Sequence, residues 1–241
     1  MNFRSLFMCV LCVSLSLISL HCVAGELNRV GILDGAKVAF SSCDGLQGVH
    51  VVKNGKVVCL RGKITSKMFV TLVKKRSEIK QHPYVVVSGI GGYPDSSIYI
   101  VRMMNSYEPV AVVGDMCASA CAQFLFFMGK RRVLLHCADL VMHGGPGTID
   151  EVLSWDNDYN RTQRIIADMS RMKRFYKDRG ISMDMITKPP PDVQKMLNAG
   201  KIVFWPWSIN KLRSFGVRGI ISNNNPDEVV PKDYEEKCLA G

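Results

Sequence analysis

Tyr84-Val85-Val86-Val87-Ser88-Gly89-Ile90-Gly91-Gly92 is the stretch that decides the fold class of this 241-residue chain. A strand with one face in water alternates apolar and polar residues, and Tyr84–Val87 does not. The run therefore predicts a strand buried on both faces, ended by a glycine-rich turn. The same pattern extends outward on either side. Val57-Val58-Cys59-Leu60 reads as a strand. Residues 66–80 read as a helix with Phe69, Leu72 and Val73 on one face and Lys74, Lys75 and Arg76 mostly away from it. Downstream come a helix from about Asp95 to Asn105 and a strand at Val110-Ala111-Val112-Val113. Gly114-Asp115-Met116 then leads through small residues into an apolar helix ending near Gly129. A further strand, Leu140-Val141-Met142, stops at His143-Gly144-Gly145-Pro146. Alternating apolar strands and amphipathic helices predict an α/β fold with a mainly parallel sheet flanked by helices. Reactive loops of such sheets gather at the carboxyl ends of the strands. Three loops qualify here: the glycine-rich turn, the turn before the apolar helix, and the His143 turn.

The first segment is set apart. Arg4, an apolar run from Leu6 to Leu20 and then His21-Cys22-Val23-Ala24-Gly25 predict a signal peptide over residues 1–24, cleaved after Ala24 or Gly25. An uncleaved, membrane-tethering anchor is the alternative, although the run is shorter than the ~20 apolar residues a span needs. Residues 25–241 read as a single domain without repeats or long linkers. Within it, residues 151–180 predict a long helix with Ile165, Met169, Met172 and Tyr176 inward. Pro189-Pro190-Pro191 breaks the chain. Trp205-Pro206-Trp207-Ser208 opens a short helix that leads to a final strand at Val217–Ile221. The expected location is periplasmic or secreted.

Residues 1–24 carry one arginine and no acid, so the formal charge of +10 falls to +9 on cleavage. A basic surface attracts anionic partners weakly, and no motif for specific nucleic-acid binding is present. Of nine cysteines, Cys43, Cys59, Cys117, Cys121, Cys137 and Cys238 lie in the mature chain, an even number that permits disulfides after export. Cys43 and Cys59 flank a hairpin with the turn Lys53-Asn54-Gly55-Lys56 and are a candidate pair. Cys117 and Cys121 are another, with Cys117–Cys137 as an alternative. No C-x-x-C knuckle supports a zinc site from Cys117, Cys121, Cys137 and His136 or His143, and no metal or cofactor is expected. Asn160-Arg161-Thr162 is a glycosylation sequon, relevant in a eukaryotic secretory pathway.

Chemistry concentrates in Cys117-Ala118-Ser119-Ala120-Cys121-Ala122. A serine at a strand-to-helix junction exposes its hydroxyl, and the amides that follow have no partners within the helix. Small neighbours let a substrate backbone approach. Gly91 and Gly92 accept backbone angles that aim further N–H groups at the same point, and His143 is placed to act as base towards Ser119. The expected oxyanion donors are Gly91, Gly92 and Ala120. Taken singly, each residue is more often an N-cap or a packing group; the ordered set carries the reading.

Ser88-Gly89-Ile90-Gly91-Gly92, Cys117-Ala118-Ser119-Ala120-Cys121, Gly129-Lys130-Arg131-Arg132 and His143 together resemble the Clp-protease family pattern, closest to exported bacterial proteins of Clp-protease-like fold. Trp205-Pro206 and Gly216-Val217 resemble a further segment of those proteins. The resemblance covers roughly residues 57–221. It implies a ClpP/crotonase-like fold with a sheet of ββα-type repeats. It also implies an oxyanion glycine pair, a serine nucleophile, a histidine base and assembly into a homo-oligomer. It places the acid of a catalytic triad near Val203 or Phe204, neither of which is an acid. Asp192 is the candidate third member by its distance from His143 in sequence, Asp184 is a poorer one, and Lys201 offers a serine–lysine arrangement. Three functions are open: an exported serine hydrolase acting on a peptide or other carbonyl substrate, an inactive binding or scaffold protein, and an acyl-CoA enzyme of crotonase type. No carboxylate is positioned for the last.

Overall fold

The computed structural model describes residues 28–144, 159–199 and 204–227. The signal segment, Lys201, Val203, Cys238 and the Ile165 and sequon side chains lie outside the described residues. The described residues open with a helix over residues 28–41 (α1), which the strand-helix alternation read from residue 57 onward does not include. β1 (Gly48–Val52) and β2 (Val57–Arg61) follow, then α2 (Ser66–Lys74), β3 (Tyr84–Ser88), α3 (Pro94–Asn105), β4 (Val110–Val113), β5 (Met116–Ala118) and α4 (Ala120–Gln123). β6 (Arg131–Leu134) and β7 (Asp139–His143) precede α5 (Tyr159–Lys177), α6 (Asp184–Thr187), α7 (Pro191–Asn198), β8 (Phe204–Pro206), α8 (Ile209–Ser214) and β9 (Ile220–Ser222).

Two sheets form where one was expected. The larger has the order β1-β2-β3-β4-β6-β9, parallel throughout except for the β1–β2 hairpin. The smaller has the order β5-β7-β8, with β5 and β7 parallel and β7 and β8 antiparallel. The larger sheet is buried on both faces, as its valine runs require. Val58, Leu60, Val85, Val87, Ala111 and Val113 point into the main core. Val57, Cys59, Val86, Val110 and Val112 point the other way, under Ile32, Leu33, Ala36 and Ala39 of α1. Each fully buried valine contributes roughly 1.5–3 kcal/mol relative to an exposed one.

The hairpin turn is where the sequence puts it. Asn54 and Gly55 take the positive φ values of 53° and 86° that make Asn-Gly a turn signal. Other boundaries move. Regular helix in α2 ends at Lys74, followed by a 3-10 turn at Arg76–Glu78. The apolar helix expected to reach Gly129 stops at Gln123, and Leu125–Phe127 is a separate 3-10 turn. The break at Phe124 lets the rings of Phe124 and Phe127 both meet Tyr176 edge-on, with Phe124 also edge-on to Phe175. Packing overrides local helix preference here. The last strand begins at Ile220, not Val217, because Gly219 turns at φ 69°, where a Cβ would lie 2.0 Å from the Lys130 carbonyl. Met169, Met172 and Tyr176 on α5 are buried as expected.

Arg132 is a polar tie beneath this frame. It donates to the carbonyls of Phe127, Gly129, Lys130 and Arg218, joining the end of the apolar segment to the approach to β9. Burial, with help from nearby Arg179, pulls its pKa down to about 10, which still leaves it charged at neutral pH.

Candidate functional site

The smaller sheet brings the site together. β5 and β7 are adjacent and parallel, with Ala118 opposite Val141. Ser119 therefore emerges beside the end of β7, and its amide donates to the Val141 carbonyl at 3.0 Å. The chain then turns sharply into α4, with Ser119 at φ 54°, ψ −126°. A positive φ is costly for a residue with a Cβ, on the order of 1–3 kcal/mol. A strained strand-to-helix turn of this kind projects the serine hydroxyl outward. Ser119 Oγ lies 2.7 Å from Nε2 of His143.

The second ring nitrogen fixes the tautomer. Nδ1 of His143 is 2.7 Å from the Gly144 carbonyl oxygen, which only accepts. Nδ1 therefore carries the proton in the neutral ring. Nε2 is left with a lone pair, and the Ser119 hydroxyl donates to it. That is the arrangement a general base needs. A carbonyl orients the ring as a triad carboxylate would, but supplies only a partial negative charge.

Asp192 does not fill the third position. It stands exposed in the first turn of α7 and makes no hydrogen bond to His143. The carbonyl of the ring's own neighbour has taken the nitrogen that an acid would meet. Asp184 is paired with Lys188 at 3.0 Å. Directly opposite His143 on β8 is Phe204, whose ring sits edge-on to the imidazole at 5.5 Å between centroids.

Gly91 reaches the same point, and Gly92 follows it in the chain. Gly89 bridges β5, donating to Met116 O at 2.8 Å and accepting from Ala118 N at 2.9 Å. Gly91 then passes so close to the serine turn that a Cβ there would lie 2.6 Å from Ser119 Cβ and 2.8 Å from Ala120 N. Gly92 is latched on the other side, where a Cβ would meet Ile64 O at 2.1 Å. Among the described residues no acceptor takes the amide protons of Gly91, Gly92 or Ala120. They are spare donors in the loop and turn that flank Ser119.

Three supports hold this geometry, two of them missed in sequence. Gln123 is 5% exposed and is the one polar side chain between Ser119 and Gly129. Its amide nitrogen donates to His143 O at 2.8 Å, its backbone N–H donates to Ser119 O at 2.8 Å, and its carbonyl accepts from Tyr176 Oη at 2.9 Å. A lone glutamine in an apolar run was the available signal. Full burial pushes the Tyr176 phenol far above its usual pKa, so it stays a neutral donor. The Arg61–Asp115 ion pair is the second, tying the end of β2 to the turn before β5. The third support is the Cys117–Cys121 disulfide, Cα–Cα 5.2 Å, which spans Ser119. The bond consumes both sulfurs, so neither is a zinc ligand. Cys43–Cys59 is bridged as well, Cα–Cα 5.7 Å, joining the end of the α1 segment to β2. Cys137 is also disulfide-bonded.

No known protein-family model matches the chain, and no curated protein matches it either.

Proposed function

We propose that this chain is a serine hydrolase of peptidase type, with a ClpP/crotonase-like fold, and that it acts after export. One observation carries the reading: Ser119 Oγ lies 2.7 Å from the unprotonated nitrogen of His143, with the Gly91 backbone packed against the serine turn. In the reaction, Ser119 Oγ attacks a substrate carbonyl carbon while His143 Nε2 takes the hydroxyl proton. The amides of Gly92 and Ala120 receive the oxyanion, with Gly91 holding the loop in place. Collapse of the tetrahedral adduct expels the leaving group, which takes the proton back from His143. Water, activated by the same nitrogen, then releases the acid and restores Ser119. The two disulfides among described residues favour an oxidising compartment. Assembly into a homo-oligomer belongs to the same proposal.

The test is covalent labelling with a fluorophosphonate. The wild-type chain is expected to gain one label and Ser119→Ala none. A folded wild-type chain that takes no label sinks the reading.

One observation favours a second reading, an inactive binding or scaffold protein: Nδ1 of His143 meets a carbonyl where a triad has a carboxylate. Phe204→Asp separates the two. A carboxylate opposite His143 is expected to raise the labelling rate at least ~10-fold if the pair is a working dyad short of an acid. An unchanged, barely detectable rate would favour the scaffold.

A further inference from the structure

The geometry points to the Cys117–Cys121 disulfide as the element that positions Ser119, so that the Ser119–His143 pair assembles only in the oxidised chain. Its functional consequence rests on the hydrolase reading; its structural content does not.

Two independent observations meet at this turn. Ser119 adopts φ 54° without being glycine, so its own preferences oppose the conformation. The disulfide closes a five-residue ring, Cys117 to Cys121, with Ser119 at its centre. Cys117 is anchored in β5, between the Gly89 bridge on one side and Leu140 of β7 on the other. Cys121 is in the first turn of α4, and both cysteines are buried. The natural competitor of the turn is continuation of the strand. Four residue steps of extended chain span ~13 Å, whereas the bridged Cα atoms stand 5.2 Å apart. The bond excludes the competitor outright. Without it, the backbone of the turn itself is held by Ser119 N to Val141 O and Gln123 N to Ser119 O, with Gln123 and the Arg61–Asp115 pair supporting it from outside the ring, against the serine's own preference.

Forming the bond removes two electrons and two protons from the two thiols. A disulfide-class oxidant such as oxidised glutathione accepts them and leaves as two thiols. A chain still in a reducing compartment would keep both thiols and leave the nucleophile unassembled. Cys43–Cys59 lies in the core under α1, on the opposite face of the larger sheet, and serves as the control.

The experiment compares full-length oxidised wild type, Cys117→Ala/Cys121→Ala, Cys43→Ala/Cys59→Ala and Ser119→Ala. The two readouts are the fluorophosphonate labelling rate per folded molecule and the ¹⁵N chemical shift of His143 Nε2. In Cys117→Ala/Cys121→Ala, labelling is expected to slow about 100-fold, the usual consequence of a ~1 Å misplacement. The Nε2 shift is expected to move to the Ser119→Ala value. Cys43→Ala/Cys59→Ala should keep the wild-type shift and labelling rate. A double-alanine chain that keeps both overturns the proposal, as does equal loss in both disulfide variants. If wild type takes no label yet the Nε2 shift moves as described, the hydrolase reading fails and the positioning role stands. Should the alanine pair fail to fold, Cys117→Ser/Cys121→Ser preserves volume and is read by the same two measurements.

Discussion

Removing Ser119 or His143 is expected to slow hydrolysis of an activated ester, p-nitrophenyl acetate, by about 10²- to 10⁴-fold, and removing both is expected to cost no more. The size follows from what stands at Nδ1. In a complete triad, loss of the serine or the histidine costs about 10⁶ in turnover, and loss of the acid alone about 10⁴. Here the Gly144 carbonyl orients the ring at 2.7 Å, and among the described residues no carboxylate meets Nδ1. The larger part of the acid's contribution, stabilising the imidazolium formed when His143 takes the serine proton, is therefore already missing. With that contribution wholly missing, about 10² would remain to be lost. Because the carbonyl does preserve the productive tautomer, 10² is the lower bound and about 10⁴ the upper one. Equality of the two single variants and the double variant is the sharper part of the result. Two groups that act in one proton transfer cannot be removed twice. Independent, additive losses would mean that Ser119 and His143 do not work as a unit, whatever their separation.

The strong parts of this site were legible because they depend on residue type. Val85-Val86-Val87 could only be a strand buried on both faces, and the glycines after it could only be a turn. Ser119 and His143 were each placed at a strand end by the same alternation, and Cys43–Cys59 by the hairpin it brackets. The division into two sheets was not legible. β5 is three residues long, Met116-Cys117-Ala118, too short for any periodicity. Yet it is the pairing of β5 with β7, outside the larger sheet, that sets the serine beside the histidine. The third partner of His143 was beyond reach for another reason. A backbone carbonyl has no residue-type signature, so a search for an acid could only produce Asp192, which stands exposed on α7. The α1 helix was legible in principle, since Ile32, Leu33, Ala36 and Ala39 recur at helical spacing.

Gly91→Ala is expected to destabilise the chain by about 3–5 kcal/mol, combining backbone strain with overpacking. Gly91 sits at φ 89°, where an L side chain is strained whatever the space. Space is lacking too. The new Cβ would lie 2.6 Å from Ser119 Cβ and 2.7 Å from the Ala118 carbonyl oxygen, atoms of a turn fixed by a disulfide and by β5. Neither neighbour is the free end of a flexible side chain, so relief must come from moving the diglycine loop or the serine turn. The urea midpoint is expected to fall by about 1–2.5 M, taking a slope of about 2–3 kcal/mol/M for a domain of this size. Refolded material should also label more slowly at Ser119, because the displaced loop carries the Gly91 and Gly92 amides away from Ala120. A variant with the wild-type midpoint and labelling rate would mean that the loop and the serine turn are not in contact. The oxyanion donors would then have to be sought elsewhere.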